Sequence, residues 1–599
     1  MNLECLANEL LLDLFEYFDV INLFRAFTRL NHRFHHLLFI HLQRYYLDFR
    51  SLSKFDFRLF CEQYLPLIND RVRSFRLSDD TETPHLPQMF LSSGYSINQF
   101  IHLKSLVIDH ARSFDLLNQI TSQCRQLTFL SHLSIKITNN DDPDENFRHF
   151  INNIWTLPKL SHCHLNIEYP YTAWLLQMSS ISQSIRCLSL KNVSFNANAL
   201  LDLFQHTPQL ERLSFGNLGQ FNLLQTSAIF SSLISLHVIV ESSKQWMINL
   251  FQQFPRLCFL TIQMNHMIHI DGHEWQTILN KYFINLQVFR LKMTMELSTL
   301  QGGSEEQIDQ LLDSYRSDYW IEQHHWFVQC DWWPMETMQT ALIYTLPYAF
   351  DTFHYQDGMR SKSTSSNQFS SSAYDRVHTL HHINRKRDFS INCISSSIQF
   401  INIRHLNVKL PCDDNFWSII PTLDRLTSIH VVLTRDLGYS QLQMLLDRAP
   451  RLYSLSFSHV NNFSMNSFNL HSPSVRRLEF FQDFAYCLRY FNTNECMTLA
   501  RSSLASQCKV LMIDVASRSD ILQLIQIMPD LQVLHIRCAQ EQTDRYSVSE
   551  INNTLIKWLE DRLSSKCTFS NIRSTHSSDH ISLWVNQTSR ERDQKTSVS

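Results

Sequence analysis

Apolar residues recur along this chain in a six-residue pattern, filled at relative positions 0, 3 and 5. LERLSF (from Leu210), LISLHV (from Leu233) and LCFLTI (from Leu257) show it plainly. Further copies begin at Leu103, Leu130, Leu160, Ile185 and Leu286, and again at Ile403, Leu426, Leu452, Val475 and Leu531. Weaker copies begin at Val72, Cys508 and His580. Positions 3 and 5 alternate as a short strand with one buried face does. Between residues 185 and 257 the copies are 25, 23 and 24 residues apart; between 403 and 475 they are 23, 26 and 23 apart. Proline stands two residues before the first position at Pro158, Pro208, Pro255, Pro450, Pro473 and Pro529. Helix-like apolar runs such as WMINLFQQFP and LQMLLDRAP lead into it. Proline lacks the N–H that would continue a helix, so it marks the stop before the strand. Each unit therefore predicts helix, stop and short strand over about 25 residues, and neighbours must stack to build one core.

The spacing breaks once, between Leu286 and Ile403, where Val377 to Leu380 reads as a worn copy. Residues 356–375 are serine-rich and polar, which predicts a disordered loop. The expected organisation is a helical module over 1–45, a helical linker over 46–69 and repeats over 70–295. An irregular insert follows over 296–402, then repeats over 403–585 and a disordered tail over 586–599.

The first module has its own pattern. LANELLLDLFEYFDVINLF predicts a helix in which Leu6, Leu10, Leu14 and Phe18 form one i, i+4 row and Leu11 and Phe15 a second. Glu9, Asp13 and Glu16 interrupt it at helical steps, which is unlike a signal peptide. A helix of a lone small domain needs about one apolar stripe. This one carries more, so part of it is expected to face a partner chain or a following domain.

Composition removes several function classes. The net charge of −4 gives no footprint for nucleic acid or anionic membrane. No run of about 18 uninterrupted apolar residues predicts a membrane span. The 14 cysteines contain no CxxC pair, so buried thiols of a reducing compartment, cytoplasmic or nuclear, are expected. Only 8 glycines are present, and none forms a phosphate-cradling loop. Neither a cofactor nor an enzymatic activity is expected. HMIHIDGH (His266, His269, Asp271, His273) has zinc-type ligands at short spacing, but no cysteine or HExxH helix supports it. His32 and His36 are read as a solvated helix face. The aromatic run DYWIEQHHWFVQCDWWP, which contains Cys330, reads as core or as an interface hot spot.

The repeats resemble leucine-rich repeats of the irregular, Asn-poor kind, over most of residues 70 to 590. The opening run resembles an F-box, with matches at Leu6, Glu9, Leu10, Leu14, Phe18, Asp19, Leu23 and Phe34. Ala7 stands where that family has proline, and the segment after Phe27 matches with a one-residue insertion. The fold implied is an α/β repeat solenoid, a leucine-rich-repeat horseshoe, behind a small N-terminal all-α F-box module. The function implied is the substrate-recognition subunit of a cullin–RING ubiquitin ligase. In that resemblance Leu6, Ala7, Glu9, Leu10, Leu14, Phe18 and Leu23 dock a Skp-type adaptor, and the repeats hold a substrate protein. The competing expectation is a non-catalytic scaffold or inhibitor whose N-terminal helices only cap the repeat core.

In the strand pattern, positions 2 and 4 face the concave side. Over sixteen copies these hold His132, His162, His164, His237, His405, His430 and His535, with Arg76, Arg212, Arg290 and Arg477, against one acid, Glu479. Such a surface is expected to accept an acidic or phosphorylated segment, with arginine as the bidentate grip. Histidines near their ordinary pKa of about 6.5 would strengthen that grip at mildly acidic pH.

Overall fold

The computed structural model describes residues 3–585 apart from 19, 28–29, 42–44, 51, 139–144, 168–177, 194–196, 219–228, 242, 265–269, 298–303, 334–339, 366–370, 384–397, 413, 434–436, 459–468, 481–488, 540–547, 564–566 and 573–579. His266, His269, Asp19 and the predicted tail over 586–599 lie outside the described residues.

All sixteen copies of the pattern fall on strands, most of which begin at position 2, as in Arg212–Leu218 and His405–Leu410. Positions 3 and 5 are buried throughout the first block, as with Leu213 and Phe215 or Leu260 and Ile262. Helices precede the prolines where expected: Glu145–Trp155, Ala197–His206, Lys244–Phe251, Leu437–Arg448 and Arg518–Ile527. The strands build two large, mostly parallel sheets of 13 and 10 strands. Parallel neighbours pair in register, so that Leu188, Leu213, Leu236 and Leu260 lie side by side. Ordering the backbone of one 25-residue unit costs about 25–50 kcal/mol. Its own three leucine-sized side chains return about 5–9 kcal/mol. A single unit therefore cannot fold alone, and the stack is the cooperative structure.

Four expectations are corrected. The 46–69 segment is not only a helical linker: Tyr45–Asp48 is the first strand of the first sheet, parallel to Val72–Ser78. The 296–402 insert does not interrupt the repeats for its whole length. Phe327–Trp332, Thr340–Leu346 and Arg360–Ser363 end the first sheet antiparallel. Thr352–Gln356 and Thr379–Ile383 then start the second sheet as ordinary parallel repeat strands. The first of these carries the same pattern in aromatic form, Phe350, Phe353 and Tyr355, all buried. Within the predicted disordered loop, residues 360–363 are ordered: Ser361 Oγ donates to buried Asp331 at 2.6 Å, and Lys362 Nζ reaches Asp309 at 2.7 Å. Polar composition misleads there because the serines hydrogen-bond to a neighbouring strand. The copy at His580 is a strand, but His580–Val585 runs antiparallel to Val533–Cys538 and is no repeat unit.

The aromatic run is core, not interface. Trp320, Trp326, Val328, Cys330 and Trp332 are all buried. Burial pushes the Cys330 thiol well above its ordinary pKa, the opposite of what a nucleophile needs. Asp331 beside it accepts from Tyr344, Ser361 and Gln329, and burial raises its pKa to about 6.

The arc also closes on itself. After the strand Val72–Ser78, Asp80 Oδ1 accepts from the backbone N–H groups of Glu82 (2.8 Å) and Thr83 (3.0 Å), which shapes a tight turn. That turn reaches the far end of the chain. Arg477 Nη1 donates to Thr81 Oγ1 at 2.6 Å, and His535 Nε2 donates to the Thr81 carbonyl at 2.6 Å. Val510, Val533 and Trp584, on the inner side of the last strands, join the core cluster of the N-terminal block. The inner face of those strands is therefore covered rather than open.

Candidate functional site

The N-terminal module consists of three helices, Asn8–Phe15, Val20–Phe27 and His32–His41. The two rows of the first helix part company. Leu11 and Phe15 are fully buried, and Phe15 packs on Phe27 at 4.8 Å. Leu10 is 55% exposed and Phe18 40%, with Ala7 and Glu9 also exposed and Leu6 and Leu14 half-buried. Leu3, Tyr17 and Leu30 add further exposed apolar surface. Leu23 departs from the expected set: it is fully buried and supports the module from inside. Arg33 fixes the start of the helix by donating to the carbonyls of Glu4 and Leu6 and to Asn8 Oδ1. His32 and His36 are exposed. The module's inner side meets the following helix Lys54–Gln63 through Phe24, which lies against Phe60 and Tyr64.

The concave face is built by register. Strands about 4.8 Å apart place equal repeat positions in rows across the sheet. Position 2 gives the row Ser105, His132, His162, Cys187, Arg212 and Ser235. His132 and His162 stack at 4.2 Å, each beside a preceding serine hydroxyl at 2.8 and 2.9 Å. These rows line a shallow cavity of about 410 Å³ that also contains His164 and His237. Cys187 faces it half-exposed.

Two rows were missed from sequence. Position 6 also faces inward and carries Lys136, Lys191, Lys292 and Lys409, together with Asp109. Asp109 alters the expected charge count, because its carboxylate pairs with Arg76 at 2.6 Å. The strands at 352 and 379 contribute His354 and His381, stacked at 4.6 Å. On the second sheet His405 is exposed, and His430 bonds to Ser456 and Ser458 at 3.0 and 2.5 Å. Arg290 is half-buried, its pKa lowered by burial and by nearby Arg376.

Two expected substrate residues are otherwise engaged. Arg477 pairs with Glu479 at 3.3 Å and holds the Thr81 turn. His535 is fully buried between that turn and Ser582, whose hydroxyl donates to Nδ1 at 2.6 Å. Beside the turn a larger cavity of about 810 Å³ is lined by Asp48, Arg50, Glu82, His405, His430 and Arg477, among others. Its carboxylates already have partners: Asp48 pairs with Arg50 at 2.6 Å, and Glu82 with Tyr453.

The expected histidine chemistry is also corrected. Burial lowers the pKa of His162, His164, His237, His381 and His405, with neighbouring cations or histidines adding to it. His354 falls to about 4. The shift runs against protonation, so the positive charge of this face rests mainly on arginine and lysine.

His535 gives a pH prediction for the closure. Burial holds its pKa near 3 in the folded chain, against about 6.5 when unfolded. Unfolded chains bind the extra proton first, so this stability is complete above pH 6.5 and drains away as pH falls towards 3. The melting temperature should drop between pH 7 and pH 5, and His535→Gln should flatten that slope. An unchanged slope in the variant would remove His535 from the account.

Asp271 caps the helix Gly272–Tyr282 by accepting from Glu274 N at 2.8 Å. Among the described residues no group of three or more His, Cys, Asp and Glu side chains could hold a metal ion. Nor is any described helix long and apolar enough to cross a membrane. No protein-family model matches the chain, and no curated protein is found similar to it.

Proposed function

We propose that the chain is the substrate receptor of a cullin–RING ubiquitin ligase, docking on a Skp-type adaptor through its first helix and holding a substrate protein in the concave face. The observation that carries this reading is the split of the first helix. Leu11 and Phe15 close the module, whereas Leu10 on the helix and Phe18 just beyond it stay exposed and Leu6 and Leu14 are half-buried. Leu3, Leu10, Tyr17, Phe18 and Leu30 are all exposed on this small module, and such a concentration of apolar surface supports an interaction site. The F-box resemblance supplies the kind of partner. The receptor itself is non-catalytic in this reading.

The second reading, a scaffold or inhibitor capped by its N-terminal helices, is supported by Phe24 against Phe60 and Tyr64. That contact uses the inner side of the module and does not account for Leu10 and Phe18.

Each docked leucine- or phenylalanine-sized side chain contributes about 1.5–3 kcal/mol. Leu10→Asp and Phe18→Asp should each weaken adaptor co-purification about tenfold to a hundredfold. Leu10 is exposed in the free chain, so the melting temperature of Leu10→Asp should stay within about 2 °C; Phe18 also meets buried Phe27 edge-on at 6.0 Å, so Phe18→Asp should melt somewhat lower. Adaptor capture undiminished in the double variant would exclude this docking face.

A further inference from the structure

The seam between the two sheets gathers cations on the concave side. Strand Val288–Glu296 places Arg290 and Lys292 there, and Arg376 lies close enough to lower the Arg290 pKa. Across the seam stand His354 and His381, and His237 approaches from the first sheet with its ring 6.4 Å from Phe350. Lys191 acts on His237 from the same direction. Two acids act on the group: Asp351 on His237 and Tyr348, and Asp331 on Tyr348. Tyr348 and Phe350 form an aromatic floor, with the Lys292 ammonium 5.7 and 5.4 Å from their ring centres.

Lys292 is the least comfortable member. Burial alone brings its pKa down to about 8. Stripping an ammonium of water is costly unless an anion restores what is lost. The cation–π contacts recover part of that. The site also presents neutral donors. Asn407 Nδ2 donates to His381 Nδ1 at 2.9 Å, which leaves the proton on Nε2. His237 and His354 remain solvent-reachable although protein surrounds them on several sides. An open, concave, partly desolvated cluster with fixed positive charge and N–H donors suits a compact dianion better than a single carboxylate.

We propose that this seam binds a phosphate monoester dianion, gripped by Lys292 and Arg290 with His381 as a neutral donor. The inference rests on the concave face being the substrate surface and specifies what it recognises there. The phosphate has two possible sources, a phosphorylated residue of the substrate protein and a free phosphate compound.

The test is calorimetric titration of the purified full chain with inorganic phosphate, a phosphoserine peptide and the same peptide unphosphorylated. Binding of the phosphoserine peptide but not its unphosphorylated form supports the site with a substrate-borne phosphate. Binding of inorganic phosphate without the peptide supports it with a free phosphate as occupant. In either case Lys292→Met and Arg290→Met should each weaken binding about tenfold, while Lys281→Met on the outer helix Gly272–Tyr282 changes nothing. Binding to wild type should fall as pH rises through about 8, a step that Lys292→Met removes. Without ligand, Lys292→Met should melt no lower than wild type, because it removes a partly desolvated charge; that control shows the variant is folded. No binding of either phosphate probe by wild type, or equal binding by wild type and both seam variants, overturns the inference. If that occurs while the adaptor still co-purifies, the phosphate site falls and the receptor reading stands.

Discussion

Arg537→Ala should destabilise the chain by about 3–5 kcal/mol, the usual cost of breaking a buried ion pair by removing one partner. Arg537 and Asp514 sit opposite each other on adjacent strands, both almost fully buried, joined at 2.5 and 2.7 Å in a two-pronged contact. They lie on the same face of their strands as His535, on which the Thr81 turn rests. In an open horseshoe the same pair would face water and be worth about 0–1 kcal/mol. Burial outweighs the guanidinium and raises the Asp514 pKa, so the carboxylate left behind by Arg537→Ala would be poorly tolerated. The double variant Arg537→Met with Asp514→Leu should recover much of the loss. Chemical denaturation checks both. A loss below about 1 kcal/mol would mean that the arc is open in solution.

Trp320→Ala should cost about 3–5 kcal/mol, the range for deleting a large buried aromatic. Trp320 is fully buried among Tyr315 (4.9 Å), Tyr319 (5.6 Å), Phe289 (5.9 Å) and Trp326 (6.0 Å). Its Nε1 donates to the Gly272 carbonyl at 3.2 Å. Gly272 is one of the few positions where glycine is required. A Cβ there would collide with the Ser314 carbonyl, while the Gly272 N–H donates to Ser314 Oγ at 2.7 Å. The cluster backs directly onto Phe289, the neighbour of Arg290, so its loss should also loosen the seam. Thermal melting distinguishes the two readings of the aromatic run. A variant that melts like wild type but loses a partner would restore the interface reading.

The repeat register was legible because leucine and isoleucine at positions 0, 3 and 5 report a one-faced strand directly. Phe350, Phe353 and Tyr355 obey the same geometry but were hidden in an aromatic-rich stretch. Tyr45–Asp48 was too short to show a period. The closure could not be read at all: Thr81 is 454 residues from His535, and nothing local in either segment announces the other. Val510, Met512, Val533 and Trp584, buried on the inner face, were its nearest signal. Apolar residues at positions 2 and 4 mean that something covers the concave side. For the candidate site, the inner-face reading of positions 2 and 4 located His132, His162, His164, Arg212 and His237. Stopping one step short of position 6 lost Lys191 and Lys292. In the first helix, the two apolar rows were visible in sequence, but that Leu11 and Phe15 are buried while Leu10 stays exposed needed the packing of Phe15 on Phe27.

The most direct measurement is to mix the purified full chain with a purified Skp-type adaptor and determine the mass of the resulting species, with amide hydrogen exchange on the same sample. The account predicts a one-to-one complex in which exchange slows over Asn8 to Phe18 and is unchanged along the concave strands. Two proteins that remain separate, or a complex that leaves Asn8 to Phe18 exchanging as in the free chain, would contradict it.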